Sequence, residues 1–182
     1  MGIEFLRPRH RVLRRLLVIA VSVSLISLLS ACGPPPPTLS LVGVIDQENA
    51  ESVQQHIEGG TDPDVEFIPP GYPFAGASAL HQAVLIGNVE VVDLLLDGGA
   101  NIDIRARDVF EATPLIWAAY WGMRDMVRLL VEAGAKIKAE DAFGSTALEA
   151  ADSANPFIPE GTREEFDANR EIIKQYLLGY GG

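Results

Sequence analysis

The chain has 182 residues, 48% of them hydrophobic, and its 25 acidic side chains outweigh 14 basic ones to leave a net charge of −11. That length suits one domain with a buried core, and the acidity argues against nucleic acid or a bare anionic lipid surface as a partner. A single cysteine, Cys32, excludes an intramolecular disulfide.

Residues 1–31 read as a targeting segment. Arg7, Arg9, Arg11, Arg14 and Arg15 form a basic start, and LLVIAVSVSLISLL from 16 to 29 is an apolar run that ends at Ser30-Ala31-Cys32. The run is short for a membrane span and suits a secretory signal. Leu29-Ser30-Ala31-Cys32 resembles the bacterial lipobox, in which cleavage before the cysteine leaves a lipidated N-terminus. The resemblance implies a diacylglyceryl group on Cys32 and an amide-linked chain of the palmitate kind, two anchors that together hold firmly where one is marginal. Gly33 after the cysteine is not the aspartate associated with inner-membrane retention. The expected location is therefore the bacterial envelope, on the periplasmic face of the outer membrane. An ordinary signal peptide with an incidental cysteine is the alternative.

Residues 32–39 hold the cysteine and the Pro-rich tether. Gly33-Pro34-Pro35-Pro36-Pro37 reads either as a short polyproline spacer at about 3.1 Å per residue, which would keep the rest of the chain close to the lipid, or as a plain disordered junction. Five arginines against Glu4 give the segment before Cys32 a net +4, so the remainder carries −15. Such a remainder favours a basic partner or simply serves solubility.

Residues 40–182 read as one repeat domain. The reference unit is SALHQAVLIGNVEVVDLLLDGGANID, 78–103; moved forward by 35 positions it lands on TPLIWAAYWGMRDMVRLLVEAGAKIK, 113–138. Leu80 falls on Leu115, Ala83 on Ala118, Gly87 on Gly122, Leu95 on Leu130 and Gly99 on Gly134. Within the second half of the unit, Val91, Val92, Leu95 and Leu96 form a helical stripe that one helix pair cannot cover alone. Gly99 and Gly134 stand where a left-handed residue stops a helix. Residues 41–64 are a worn earlier copy, with Val44, Ile45, Val53 and Ile57 in the places of Ala83, Val84, Val92 and Leu96. Its polar Gln54, Gln55 and His56 are expected to face water as a terminal cap. Thr61-Asp62-Pro63-Asp64 reads as a turn.

Between the units lie the connecting fingers, the first of which is kept out of regular structure by Pro69, Pro70 and Pro73. The stretch 66–77, EFIPPGYPFAGA, should be an extended hairpin finger carrying Phe67, Tyr72 and Phe74. The stretch 101–112, NIDIRARDVFEA, is the next finger, with Phe110; its Arg105 and Arg107 are expected to pair with Asp103, Asp108 or Glu111. A last finger, 141–148, carries Phe143. The closing helix reappears at an offset of 81 from the reference unit, with Ile173, Tyr176 and Leu177 in the places of Val92, Leu95 and Leu96. An insertion near 154–166 separates it from the finger. Asn155-Pro156 and Pro159-Glu160-Gly161 there argue for a loop, and Thr162 with Glu165 resembles a capping box that restarts the helix.

A period near 33 with Thr-Pro-Leu at its start resembles the ankyrin repeat family. The resemblance implies an all-α solenoid of about four helix pairs with hairpin fingers, and protein binding by fingers and groove. It places Tyr120 and Trp121, and Leu85 and Ile86 one repeat earlier, on the concave groove, and assigns His81 a structural hydrogen bond. The partner-contact candidates are Tyr72, Phe74, Leu85, Ile86, Phe110, Trp117, Tyr120, Trp121 and Phe143; for the aromatic ones, packing in the core is the other reading. Catalysis finds little footing. Gly76-Ala77-Ser78 lacks the closing glycine of a nucleophile elbow, and no His, Cys or carboxylate spacing suggests a metal. No enzyme activity and no cofactor are expected. Two functions fit: an inhibitor or immunity protein against an envelope-directed toxin such as a lipase, or an adaptor that organises resident envelope proteins.

Overall fold

The computed structural model describes residues 40–45 and 49–180. The targeting segment, Cys32 and the Pro-rich tether lie outside the described residues. Among those described, the helices are α1 (Leu41–Ile45), α2 (Ala50–Glu58), α3 (Ala79–Ile86), α4 (Val89–Asp97), α5 (Pro114–Tyr120), α6 (Arg124–Glu132), α7 (Ala147–Asp152) and α8 (Arg163–Tyr180), with a 3-10 turn at Glu160–Thr162. None of them is long and apolar enough to cross a membrane.

Local chemistry sets the helix ends. Asn49 and Asn88 cap α2 and α4 by accepting from the amides of Ser52 at 3.0 Å and Val91 at 3.2 Å, a use of side-chain oxygens on amides that the helix itself leaves unpaired. Pro114 opens α5, where its missing N–H costs nothing. At the far ends, Gly60, Gly99 and Gly134 take φ of 80°, 92° and 96°. The next amides, of Thr61, Ala100 and Ala135, each reach back 2.9 Å to the carbonyls of His56, Leu95 and Leu130. Three consecutive repeats thus end in the same left-handed closure, and each chain reversal starts a finger.

The helices pair as α1/α2, α3/α4, α5/α6 and α7/α8, and the first helices of successive pairs stack in order. Ala83, Ala118, Ala119, Ala147 and Ala151 sit fully buried on that stack, where only small side chains let the backbones approach. Val92, Leu95, Val127 and Leu130 are equally buried on the second helices, and Ile173 and Leu177 continue the layer on α8. One core therefore runs through all four pairs, as the uncovered stripe on each pair requires.

Three expectations need correction. His56 is 5% exposed, not solvated: it stands in the register place of Leu95, and its Nδ1 lies 3.2 Å from the Thr61 hydroxyl, which makes a polar ring tolerable inside. Arg105 pairs with backbone, donating to the carbonyls of Glu111 at 3.0 Å and Glu140 at 2.7 Å. Arg107 lies over the Phe67 ring, 3.6 Å from its centroid. A guanidinium carries several donors in one plane and a flat face that stacks on rings, so carbonyls and an aromatic ring can engage it. Lastly, α8 begins at Arg163, but the Thr162 hydroxyl donates to the Pro159 carbonyl at 3.2 Å and closes the 3-10 turn rather than capping the helix.

Candidate functional site

The fingers bond sideways to one another. In the finger 66–77 the amides of Ile68 and Gly76 close a short ladder on Ala77 and Ile68, both at 2.8 Å. Its neighbour then joins through the Arg107 amide to the Gly76 carbonyl at 2.7 Å, and the third through the Ala142 amide to the Phe110 carbonyl, also at 2.7 Å. Below them, Asp64 accepts from the Asn101 amide at 3.1 Å and Asp103 from the Lys136 amide at 2.9 Å. Each finger is thereby held at the spacing of the helix stack, and what its tip carries is held in register with the next.

The tips carry aromatic rings. Phe74 packs against Trp117 and Trp121 of α5 and its end, both with centroids 5.9 Å apart. Trp121 also meets Tyr120 at 5.5 Å and Phe157, from the insertion, at 6.2 Å. Phe110 and Phe143, on adjacent tips, lie 5.7 Å apart. Two hollows flank this cluster. The N-terminal one, about 810 Å³, is lined by Ile68, Pro69, Tyr72, Pro73, Gln82, Leu85, Ile86 and Met123, with Phe74 and Trp121 as its far wall. The C-terminal one, about 510 Å³, shares Phe74 and Trp121 and adds Asp108, Phe110, Trp117, Tyr120, Asp141, Phe143 and Phe157. Together they make one groove beneath the fingers.

All nine candidate contact residues line this groove. Tyr72, Phe74, Phe110 and Phe143 are exposed, while Leu85, Ile86, Trp117, Tyr120 and Trp121 are half-buried. Phe157, 73% exposed, was missing from the sequence candidates. Its signal was present: an aromatic just after Asn155-Pro156 in the insertion. Asn155 is the buried peg of that loop, donating from Nδ2 to the Tyr120 carbonyl at 3.3 Å and accepting the Phe157 amide at 3.0 Å.

His81 supports the groove from behind. Its Nε2 lies 3.0 Å from the Ala112 carbonyl, which can only accept, so Nε2 carries the proton and Nδ1 accepts from the Ser78 hydroxyl at 2.8 Å. Burial lowers its pKa to about 4, so the ring is neutral at physiological pH. Trp117 stands edge-on against it at 4.9 Å. A neutral, doubly bonded imidazole thus fixes the indole that floors the C-terminal hollow. What the site offers chemically is a wall of ring faces with few polar groups.

A family model described as ankyrin repeats (3 copies) matches residues 41–141. The human Notch-regulated ankyrin repeat-containing protein is 32% identical over 103 residues, covering 57% of this chain and 87% of that protein. The E3 ubiquitin-protein ligase KEG of Arabidopsis thaliana is 34% identical over 115 residues, 63% of this chain but 7% of the ligase. Among solved structures, the crystal structure of the ankyrin repeat domain of Bcl-3 aligns with a TM-score of 0.54 at 28% identity, covering 64% of this chain and 53% of that one. The chain thus spans a small part of the ligase and about half of the Bcl-3 chain. With a family model over more than half of its length and helix pairs stacked through one core, this chain belongs to the ankyrin repeat family and is a protein-interaction module.

Proposed function

We propose that the protein is a lipid-anchored binding module of the bacterial envelope, attached through Cys32 at the periplasmic face of the outer membrane, where its groove captures and neutralises an envelope-directed toxin such as a lipase. The observation that carries the binding half is the run of exposed and half-buried rings from Tyr72 to Phe157 along one groove. Aromatic side chains so placed supply large contact area at little cost in side-chain freedom. The anchoring half rests on Leu29-Ser30-Ala31-Cys32 after the apolar run, and on the short Pro-rich spacer, which keeps the groove near the membrane. An inhibitor acts by occupancy, so it needs no catalytic group of its own.

Photo-crosslinking from intact cells tests the reading, with a crosslinking amino acid at position 120 or 121. Capture of a secreted lipase, together with cells that survive exposure to that enzyme only when the groove is intact, supports it. Capture of an abundant resident envelope complex, with survival unaffected by deletion, favours the adaptor. Incorporation of an alkyne-labelled fatty acid that disappears in Cys32→Ala tests the anchor separately.

A further inference from the structure

The groove is unevenly charged. Among the described residues, none that lines its N-terminal hollow is charged. At the C-terminal hollow the charged lining residues among those described are Asp108 and Asp141, both half-buried, with neither lysine nor arginine beside them. Each aspartate uses Oδ1 to hold its own finger tip. Asp108 accepts from the amides of Phe110 and Glu111 at 2.9 Å, and Asp141 from those of Phe143 at 2.8 Å and Ser145 at 2.9 Å. The arginines of the same finger are engaged elsewhere, Arg105 on two carbonyls and Arg107 on the Phe67 ring.

A partner that pressed only apolar side chains into this hollow would strip water from two carboxylates and offer them nothing in return. An acidic one would add repulsion. A cation answers both the carboxylates and the ring faces of Phe110 and Phe143, whose π-systems attract positive charge.

We propose that the C-terminal hollow receives an arginine or lysine side chain projecting from an otherwise apolar segment of the partner protein, with the cation in the joint field of Asp108 and Asp141 against the rings of Phe110 and Phe143. This rests on the groove being the partner-binding face. The apolar flanks of the segment lie in the N-terminal hollow, across Leu85 and Ile86, and the net charge of −15 after the targeting segment brings basic segments toward the site.

The test selects random displayed peptides on the full-length chain, then measures synthetic, dye-labelled copies of the winners by fluorescence anisotropy. The expected winners carry arginine or lysine flanked by leucine, isoleucine or phenylalanine. Replacing that arginine by citrulline, or the protein's pair by Asp108→Asn with Asp141→Asn, weakens binding by about tenfold or more, and added salt weakens it too. Asparagine keeps the Oδ1 acceptor for the finger amides, and the citrulline arm leaves the protein untouched should that variant misfold. Neutral or acidic winners, or citrulline peptides that bind within about twofold of the arginine ones, would overturn the proposal. If Tyr120→Ala with Trp121→Ala abolishes binding while charge removal does not, the groove stands and the cation falls. If the peptides bind every variant as they bind the wild type, both fall.

Discussion

Gly76→Ala puts the lateral bonding of the fingers to a direct test. Gly76 is buried at φ +90°, and a methyl there would stand 2.5 Å from the Arg107 carbonyl oxygen and 2.6 Å from its carbon. Both are backbone atoms, so neither can swing aside. Holding alanine at such a φ costs about 1–2 kcal/mol. Relieving the contact separates the fingers and breaks the 2.7 Å bond from the Arg107 amide to the Gly76 carbonyl, which leaves the acceptor of the buried Gly76 without that partner at about 1–3 kcal/mol. The expected loss is about 2–5 kcal/mol, or about 6–15 °C in melting temperature for a domain this size. Gly71→Ala is the control: its φ is +95° and a methyl there meets nothing within 4 Å. It should lose only the conformational part, about 1–2 kcal/mol, less what alanine takes from the unfolded chain's freedom. Urea unfolding followed by far-UV circular dichroism measures both. Equal losses in the two variants would show that the fingers do not meet at Gly76.

Other perturbations read other parts of the molecule. Leu95→Ala and Leu130→Ala, each fully buried, should cost about 2–5 kcal/mol apiece in urea melts, and a loss under about 1 kcal/mol would contradict the stacked register. His81 should make the fold acid-sensitive: its folded pKa of about 4 lies below the unfolded value near 6.5, so its contribution is whole above about pH 6.5 and is lost as pH falls toward 4. The loss amounts to about 3 kcal/mol at 1.36 kcal/mol per unit, and His81→Gln should flatten the stability profile across that window relative to wild type. Asn155→Ala should cost about 1–3 kcal/mol by orphaning the Tyr120 carbonyl and the Phe157 amide. Amide exchange should rise in the insertion while α3 to α6 stay protected.

The helix pairs could be read from the chain because their causes are local. Leu95 and Leu96 repeat Val91 and Val92 one turn on, and Gly99 closes α4 through amides only a few residues from their acceptors. Repetition at 35 positions then marked which residues play the same part, and placed Tyr120 and Trp121 beside Leu85 and Ile86. The same logic misjudged His56: its polarity suggested water, while its register with Leu95 put it inside, and Thr61 made that placement tolerable. Side-chain type and repeat position disagreed, and packing followed position. Arg105 and Arg107 escaped for a related reason, since carboxylates close in sequence looked like natural partners when Glu140 and Phe67, more than thirty positions away, are the ones that stacking supplies.

Repetition of the unit, with the ankyrin resemblance it carries, was enough to expect helix pairs ending in glycine turns, because the stripe and cap of each helix arise from residues within one or two helical turns of each other. Assembly in three dimensions decided where the rings of Phe74, Trp121 and Phe157 meet and that Asp108 and Asp141 share one hollow. Those residues are 33 or more positions apart, and no local rule couples them until the core has closed and the finger amides have found their neighbours' carbonyls.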